Sequence, residues 1–378
     1  MQVIGDGEFL HSSGTQPQSA QLTNMTLRNR RNHYNIKFLK GYGHSISVKD
    51  SKIILKDCHD PFSKPIIEEW FVKDMPYDRI VLQGKGYIST ESLSLLSENN
   101  RTVILLDNRG NPVTFCSAMR NSLTATRYRI GQYDTFRDKA KTDYLTKQIL
   151  KAKLESQIKF LKSTNSPEIK QGIAKLERSG LSEAVSSRYY FDCFAKLIDE
   201  KFEFTKRNSI RIEKNNATDV INSLLNYGYS VLAGQISAYI NGVGLDVYYG
   251  FMHKNHTSFQ SLVYDMMEPF RWLVDYSVWK ISDAKSKNRI SKKQYSHTRE
   301  GKVVLEYDLI RKFLELLERT FQKERKYEYK HGAFTKDGLK SVQEITIAKI
   351  TVQNLAEYCV GKRNHLDIKS VKKENISS

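Results

Sequence analysis

Residues 143–162 read DYLTKQILKAKLESQIKFLK, and within them Leu150, Leu154, Ile158 and Leu161 recur every three or four positions with Lys and Gln between. That is the period of an amphipathic helix, and its length predicts a long surface helix. The same period returns in Thr218 to Asn241, Ser258 to Lys280 and Val304 to Lys323, interrupted by Asn241-Gly242 and by a basic loop from Lys285 to Lys293. From about Arg137 onward the chain therefore reads as helical. Upstream the pattern is different: short apolar runs, Ile36 to Leu39, Ser45 to Val48, Lys52 to Leu55, Asp78 to Leu82 and Thr102 to Leu106, are punctuated by Gly41, Gly43, Gly84, Gly86, Gly110 and Pro112. Such runs predict strands joined by turns, with one helical insert from Ser89 to Glu98 and a turn at Asp107 to Asn111. The fold class is α+β: a β-rich N-terminal domain followed by a mostly α-helical one.

These readings divide the chain into a flexible basic arm over 1–33, closed by Arg28, Arg30 and Arg31, and a β-rich domain over 34–117. A linker over 118–136 leads to a helical domain over 137–330 and a C-terminal helical segment over 331–378. In that last segment, Asp337 to Ile350 and Asn354 to Val360 read as two short helices around Thr351. They form either a closing helix pair or a small helix-turn-helix-like module.

The 378 residues suit two domains, and 39% hydrophobic residues with 17 Phe and 21 Tyr exclude a disordered chain. No stretch approaches the roughly 20 apolar residues of a membrane span, and the N-terminus lacks a signal-peptide pattern. An intracellular, cytoplasmic protein is expected. Cys58, Cys116, Cys193 and Cys359 are scattered without a C-x-x-C pair, as reduced thiols are, and give no structural zinc site. A net charge of +18 favours a polyanionic partner, with nucleic acid first and simple solubility second. Arg325, Lys326, Tyr327, Tyr329 and Lys330 interleave base and aromatic, a pattern able to pair phosphate contacts with stacking.

Four residues carry chemistry if the helices bring them together: Glu183, His253, Asp265 and Glu268. Oxygen ligands with one imidazole suit Mg2+ or Mn2+, which bind phosphate oxygens and activate a water or a hydroxyl. Spacing alone leaves a plainer reading open. Asp265 and Glu268, three apart, also fit a solvated helical stripe, and His253 fits an ordinary boundary histidine. Pro269 predicts a kink or restart of the helix. The stretch Gly84-Lys85-Gly86 lacks phosphate-loop spacing and reads as a turn. A cysteine nucleophile is not favoured, and no G-x-S-x-G elbow is present.

The motifs narrow this. Residues 219–229, DVINSLLNYGY, resemble the D-x-V-N-x-L-L-N-Y-G-Y helix of the CRISPR-associated spacer-acquisition integrases, the universal first Cas protein, and of their transposon-borne relatives the casposases. Residues 250–253, GFMH, resemble that family's G-F-L-H segment, and residues 265–271, DMMEPFR, its D-L-M-E-P-F-R segment. Residues 183–190, EAVSSRYY, are similar to E-G-x-x-A-R-x-Y, with Ala184 and Ser187 in place of Gly and Ala. The resemblance, which runs from about Ile36 to Tyr329, implies that Glu183, His253 and Glu268 bind the metal, with Asp265 an accessory acid. It also implies a homodimer formed through the β domain, and joining of DNA 3′-hydroxyl ends to a target duplex by metal-assisted transesterification. A second small Cas protein is a partner such a protein can require.

Spacer acquisition is the preferred reading, and a casposase the alternative within the family. Outside it stand a non-catalytic nucleic-acid-binding scaffold and an RNA-directed nuclease. Candidate DNA contacts are Arg188, Arg271, Lys285, Lys287, Arg289, Lys292 and Lys293. Arg188, Tyr190 and Tyr229 are open to core or DNA-facing roles, the core being preferred for Tyr229. Arg271 is open to pairing the acids or touching phosphate.

Overall fold

The computed structural model describes residues 36–58, 64–77, 79–99, 101–107, 112–116, 123–208, 217–253, 260–283, 289–328 and 339–369. The N-terminal arm, most of the expected turn at Asp107 to Asn111, Lys285, Lys287, Tyr329 and Lys330 lie outside them.

Six strands make one mixed sheet: β1 (Ile36–Lys49), β2 (Lys52–Asp57), β3 (Ile66–Phe71), β4 (Arg79–Ile88), β5 (Thr102–Leu106) and β6 (Pro112–Cys116), in the order β3-β2-β1-β4-β5-β6. Strands β1, β4 and β5 run parallel, and α1 (Thr90–Glu98) is the crossover between β4 and β5. Ser89 caps α1 by accepting from the Ser92 amide. Alternation along the central strands sends side chains to two buried faces. Leu39, Ile80, Leu82 and Val103 join the cluster that includes Leu96 of α1. Phe38, Val81, Ile104 and Leu106 join the core of the helical part. Burial on both faces is why these strands read as continuous apolar runs.

One expectation for this region is corrected, and one strand is added. Gly41, Gly43, Gly84 and Gly86 do not break strands, because β1 and β4 run straight through them with a bulge between Tyr42 and His44. Gly84 has a φ of +107°, and a Cβ there would stand 2.3 Å from the Gly41 carbonyl oxygen, so the close pairing demands glycine. Strand β3 was not expected. Its Ile66, Ile67 and Phe71 are at least half exposed, so no alternation marks it.

The helical part opens with α2 (Leu123–Arg137), where a linker was expected. Its buried positions, Tyr128, Gln132, Thr135 and Phe136, follow helical spacing but include two polar residues that hide the period. Next come α3 (Lys139–Ser163), α4 (Lys170–Arg178), α5 (Glu183–Ala195) and α6 (Val220–Val243). Helix α6 is buried on almost every side, capped by the Asp219 carboxylate on the Asn222 amide and closed by Gly244. The expected helix over Ser258 to Lys280 is three pieces: α7 (Ser261–Met267), a 3-10 turn Glu268–Phe270, and α8 (Arg271–Ser282). Pro269 has no N–H to continue the ladder, which places the break.

The chain closes with a hairpin of β7 (Tyr295–His297) and β8 (Val303–Leu305), then α9 (Tyr307–Gln322). A second hairpin of β9 (Glu324–Glu328) and β10 (Leu339–Gln343) leads to α10 (Glu344–Cys359). The two short helices expected around Thr351 are one: the buried Thr351 hydroxyl donates to the Ile347 carbonyl, so a polar β-branched residue sits inside a helix with its hydroxyl satisfied. Arg79 of β4 donates to Glu318 of α9 at 2.9 Å in a buried pair, and Phe38 meets Tyr227 edge-on. Sheet and helices thus share a core. The four cysteines are free thiols. Among the described residues no helix is long and apolar enough to cross a membrane.

Candidate metal centre

Helix α3 supplies the first component. Its most buried stripe is Leu145, Ile149, Lys153, Ser156, Gln157 and Phe160, not the expected face, of which only Leu161 is fully buried. A lysine in that register is turned inward. Lys153 Nζ lies 2.9 Å from Glu183 Oε1 and 2.7 Å from Glu268 Oε2, with its side chain 6% exposed. Glu183 opens α5, where the helix N-terminus favours a carboxylate. Glu268 opens the 3-10 turn and is 1% exposed.

His253 reaches the same place on a loop that several groups fix. Gln132 of α2, wholly buried, donates to the Asp246 and Tyr249 carbonyls and accepts from the Asp246 amide. Asp265, also wholly buried, accepts from the Phe251 and Met252 amides on Oδ2 at 2.7 and 3.1 Å, and from the His253 amide on Oδ1 at 2.9 Å. The His253 ring Nδ1 stands 2.6 Å from the same Oδ1. A carboxylate can only accept, so the proton sits on Nδ1 and the ring's coordinating lone pair on Nε2. Gly250 lets the loop come this close: a Cβ there would be 2.6 Å from Asp265 Oδ2 and 2.8 Å from the Ser261 side chain.

Behind Glu268 the charges are chained. Arg271 donates to Glu268 Oε1 at 2.7 Å and lies over the Tyr229 ring, 4.3 Å from its centroid. Tyr229 and Tyr190 both donate to the buried Asp275. Burial alone would raise Glu268, but Arg271 and Lys153 outweigh it and hold its pKa down to about 2. Burial would lower His253, yet Asp265, Glu268 and Glu183 raise it above its ordinary value. Burial pushes Asp275 up to about 6 against its tyrosine donors and Arg271.

Ligand atoms of Glu183, His253 and Glu268 all lie within 4.8 Å of one another. Two carboxylates with one imidazole suit Mg2+ or Mn2+. The buried Glu268 Oε2 faces the Lys153 ammonium at 2.7 Å and, as an ionised carboxylate oxygen with two lone pairs, keeps capacity for a cation. The side chains of Glu183, His253 and Glu268 are 44%, 30% and 0% exposed, so the cluster is closed below and open on one side. The donor set therefore fits the ion.

The other predicted positions are dispersed. Arg188 is exposed on α5 with its guanidinium 5.1 Å from the Tyr189 ring centroid, and Arg289, Lys292 and Lys293 are exposed. Tyr190 and Tyr229 are core residues. Arg325 does not join a stacking surface; it is buried and paired with Glu344 at 2.7 Å. Lys153, Gln132 and Asp275 were absent from the sequence reading. Only the register of Lys153 with Ile149 and Ser156 marked it.

Comparison with known proteins gives matches in both sequence and fold. The family model described as CRISPR associated protein Cas1 matches residues 38–319. A CRISPR-associated endonuclease Cas1 of Archaeoglobus fulgidus is 26% identical over 290 residues, covering 66% of this chain and 81% of the relative. A casposase solved bound to integration product superposes with a TM-score of 0.78 at 26% identity, over 91% of this chain and 96% of that one. A CAS1 protein from Thermotoga maritima, at 15% identity, shares the fold with a TM-score of 0.65 over 86% of this chain and 97% of its own. A match over most of the length, from the sheet through α9, makes this chain a member of the Cas1 family of CRISPR-associated endonucleases and integrases.

Proposed function

We propose that the protein is a metal-dependent DNA integrase and endonuclease that joins DNA 3′-hydroxyl ends to a target duplex. The observation that carries this reading is the convergence of Glu183, His253 and Glu268 from three separate segments onto one half-open cluster. Mg2+ or Mn2+ held by these three would stabilise charge on the reacting phosphate and favour ionisation of the attacking hydroxyl or water. The chain's own residues set the conditions. Asp265 fixes the His253 tautomer and Gln132 fixes its loop. Arg271 neutralises Glu268 from behind and keeps it ionised. In the joining step the 3′ oxygen forms a bond to the target phosphorus as that phosphorus loses its own 3′ oxygen, which takes up the proton. One phosphodiester replaces another, so no external energy source is required.

The exposed Arg188, Arg289, Lys292 and Lys293, within a +18 chain, would track phosphates. The edge strand β3 exposes Ile66, Ile67 and Phe71 at 50%, 58% and 50%, an apolar surface that supports a homodimer through the β domain. Spacer acquisition, with a small second Cas protein as partner, remains the preferred role. The casposase reading is favoured by one observation: likeness to that protein spans 91% of this chain, at a TM-score of 0.78.

The test is incubation of labelled duplexes ending in 3′-hydroxyl or 3′-deoxy nucleotides with supercoiled plasmid and Mg2+ or Mn2+. Joined product from the hydroxyl ends alone is expected. Binding without joining would favour the scaffold, and cleavage of matched RNA but not DNA hairpins would favour an RNA nuclease.

A further inference from the structure

We propose that Lys153 is a resident counter-cation of the metal centre, holding the two glutamates together until a divalent ion displaces it. The proposal rests on the metal reading of Glu183, His253 and Glu268. Lys153 Nζ touches Glu183 Oε1 at 2.9 Å and Glu268 Oε2 at 2.7 Å, so a single ammonium bridges both acids of the cluster. A divalent ion binds carboxylate oxygens at about 2.1 Å, closer than the ammonium can come, and the two cations contend for the same oxygens. At Glu268 Oε2 the ammonium stands 2.7 Å away, so an incoming ion must displace it there as well as at Glu183.

Charge decides the consequence. Glu183 and Glu268 carry two negative charges, and Lys153 with Arg271, which donates to Glu268 Oε1 at 2.7 Å, carries two positive ones. The pair of acids is thus neutralised before any ion arrives. Arg271 is anchored on the far oxygen and over the Tyr229 ring. Lys153, on a flexible four-carbon stem, is the cation able to withdraw. Its withdrawal opposes metal binding, so Lys153 sets the affinity of the site below what its ligands alone would give. A purely structural lysine would do the reverse, since removing it would loosen the glutamates and weaken binding.

The experiment is calorimetric titration of Mn2+ into metal-stripped full-length protein, comparing the parent with Lys153→Met, Lys153→Gln and Lys153→Arg. The neutral variants should bind Mn2+ at least about tenfold tighter, the effect of removing one unit charge from a partly buried site, while Lys153→Arg stays near the parent. Unchanged or weaker binding in folded neutral variants, with the parent binding, overturns this proposal alone. No Mn2+ binding by any of the proteins overturns the metal reading and the proposal with it. Where the neutral variants do not fold, amine-acylation footprinting of the parent decides: Lys153 should become more reactive on adding Mn2+, and unchanged reactivity overturns the proposal.

Discussion

Replacing Asp265 by Asn keeps the shape of the side chain and changes one acceptor oxygen into a donor. Oδ2 accepts from the Phe251 and Met252 amides, and Oδ1 from the His253 amide and ring. The favoured amide orientation keeps the carbonyl oxygen at Oδ2, because the opposite one orphans two backbone donors. The new NH2 then faces the His253 amide, which loses its acceptor, and the ring Nδ1, which is satisfied only if the proton moves to Nε2. One buried unsatisfied N–H costs about 1–3 kcal/mol, and losing charge assistance on two further bonds adds roughly 1 kcal/mol, so a loss of about 2–4 kcal/mol follows. The tautomer switch also removes the coordinating lone pair, so Mn2+ affinity should fall by about 10–100-fold, as for other outer-shell partners of metal-bound histidines. Urea denaturation of the metal-free protein gives the first quantity and calorimetric Mn2+ titration the second. If Asp265→Asn is destabilised but binds Mn2+ like the parent, the argument that Asp265 sets the tautomer is refuted.

Other consequences follow from the same contacts. Gly250→Ala places a Cβ 2.6 Å from Asp265 Oδ2 and should cost about 1–3 kcal/mol with a larger loss of joining than of DNA binding; a neutral melt and parental joining would contradict it. Tyr229→Phe removes one of two hydroxyls donating to the buried Asp275 and should lower stability by about 1–3 kcal/mol, read by thermal denaturation. Glu268 is held down to about 2 in the fold against 4.5 when unfolded, so its contribution is fully present above pH 4.5 and lost as pH falls through 2. In the metal-free protein that contribution is about 3 kcal/mol, and the acid-side slope of urea stability should be shallower in Glu268→Gln.

Much of the fold and of the candidate site is legible in the sequence where side-chain type and spacing carry the signal. Glu183, His253 and Glu268 stand in separate motifs whose chemistry needs those residues, and they meet within 4.8 Å. The helices α6 and α9 are legible because their buried residues are mostly apolar, whereas α3 shows a helical period on a face other than its most buried one. Most of what stayed hidden has polar residues on buried faces or apolar residues on exposed ones. Lys153 lies in a lysine-rich helix where a further lysine reads as solvated. Helix α2 hides its period behind the buried Gln132 and Thr135, and β3 hides its own behind exposed Ile66 and Ile67. Continuity of β1 through Gly41 and Gly43 depends on pairing with β4, a partner distant in sequence.

The most direct test of the central claim is strand transfer of a short duplex with free 3′-hydroxyl ends into supercoiled plasmid, comparing the parent with His253→Ala in Mn2+ or Mg2+, alongside DNA binding by both. Metal-dependent joined product is expected from the parent and none from His253→Ala, with similar DNA affinity for the two. Joining by His253→Ala at the parental rate would contradict the claim.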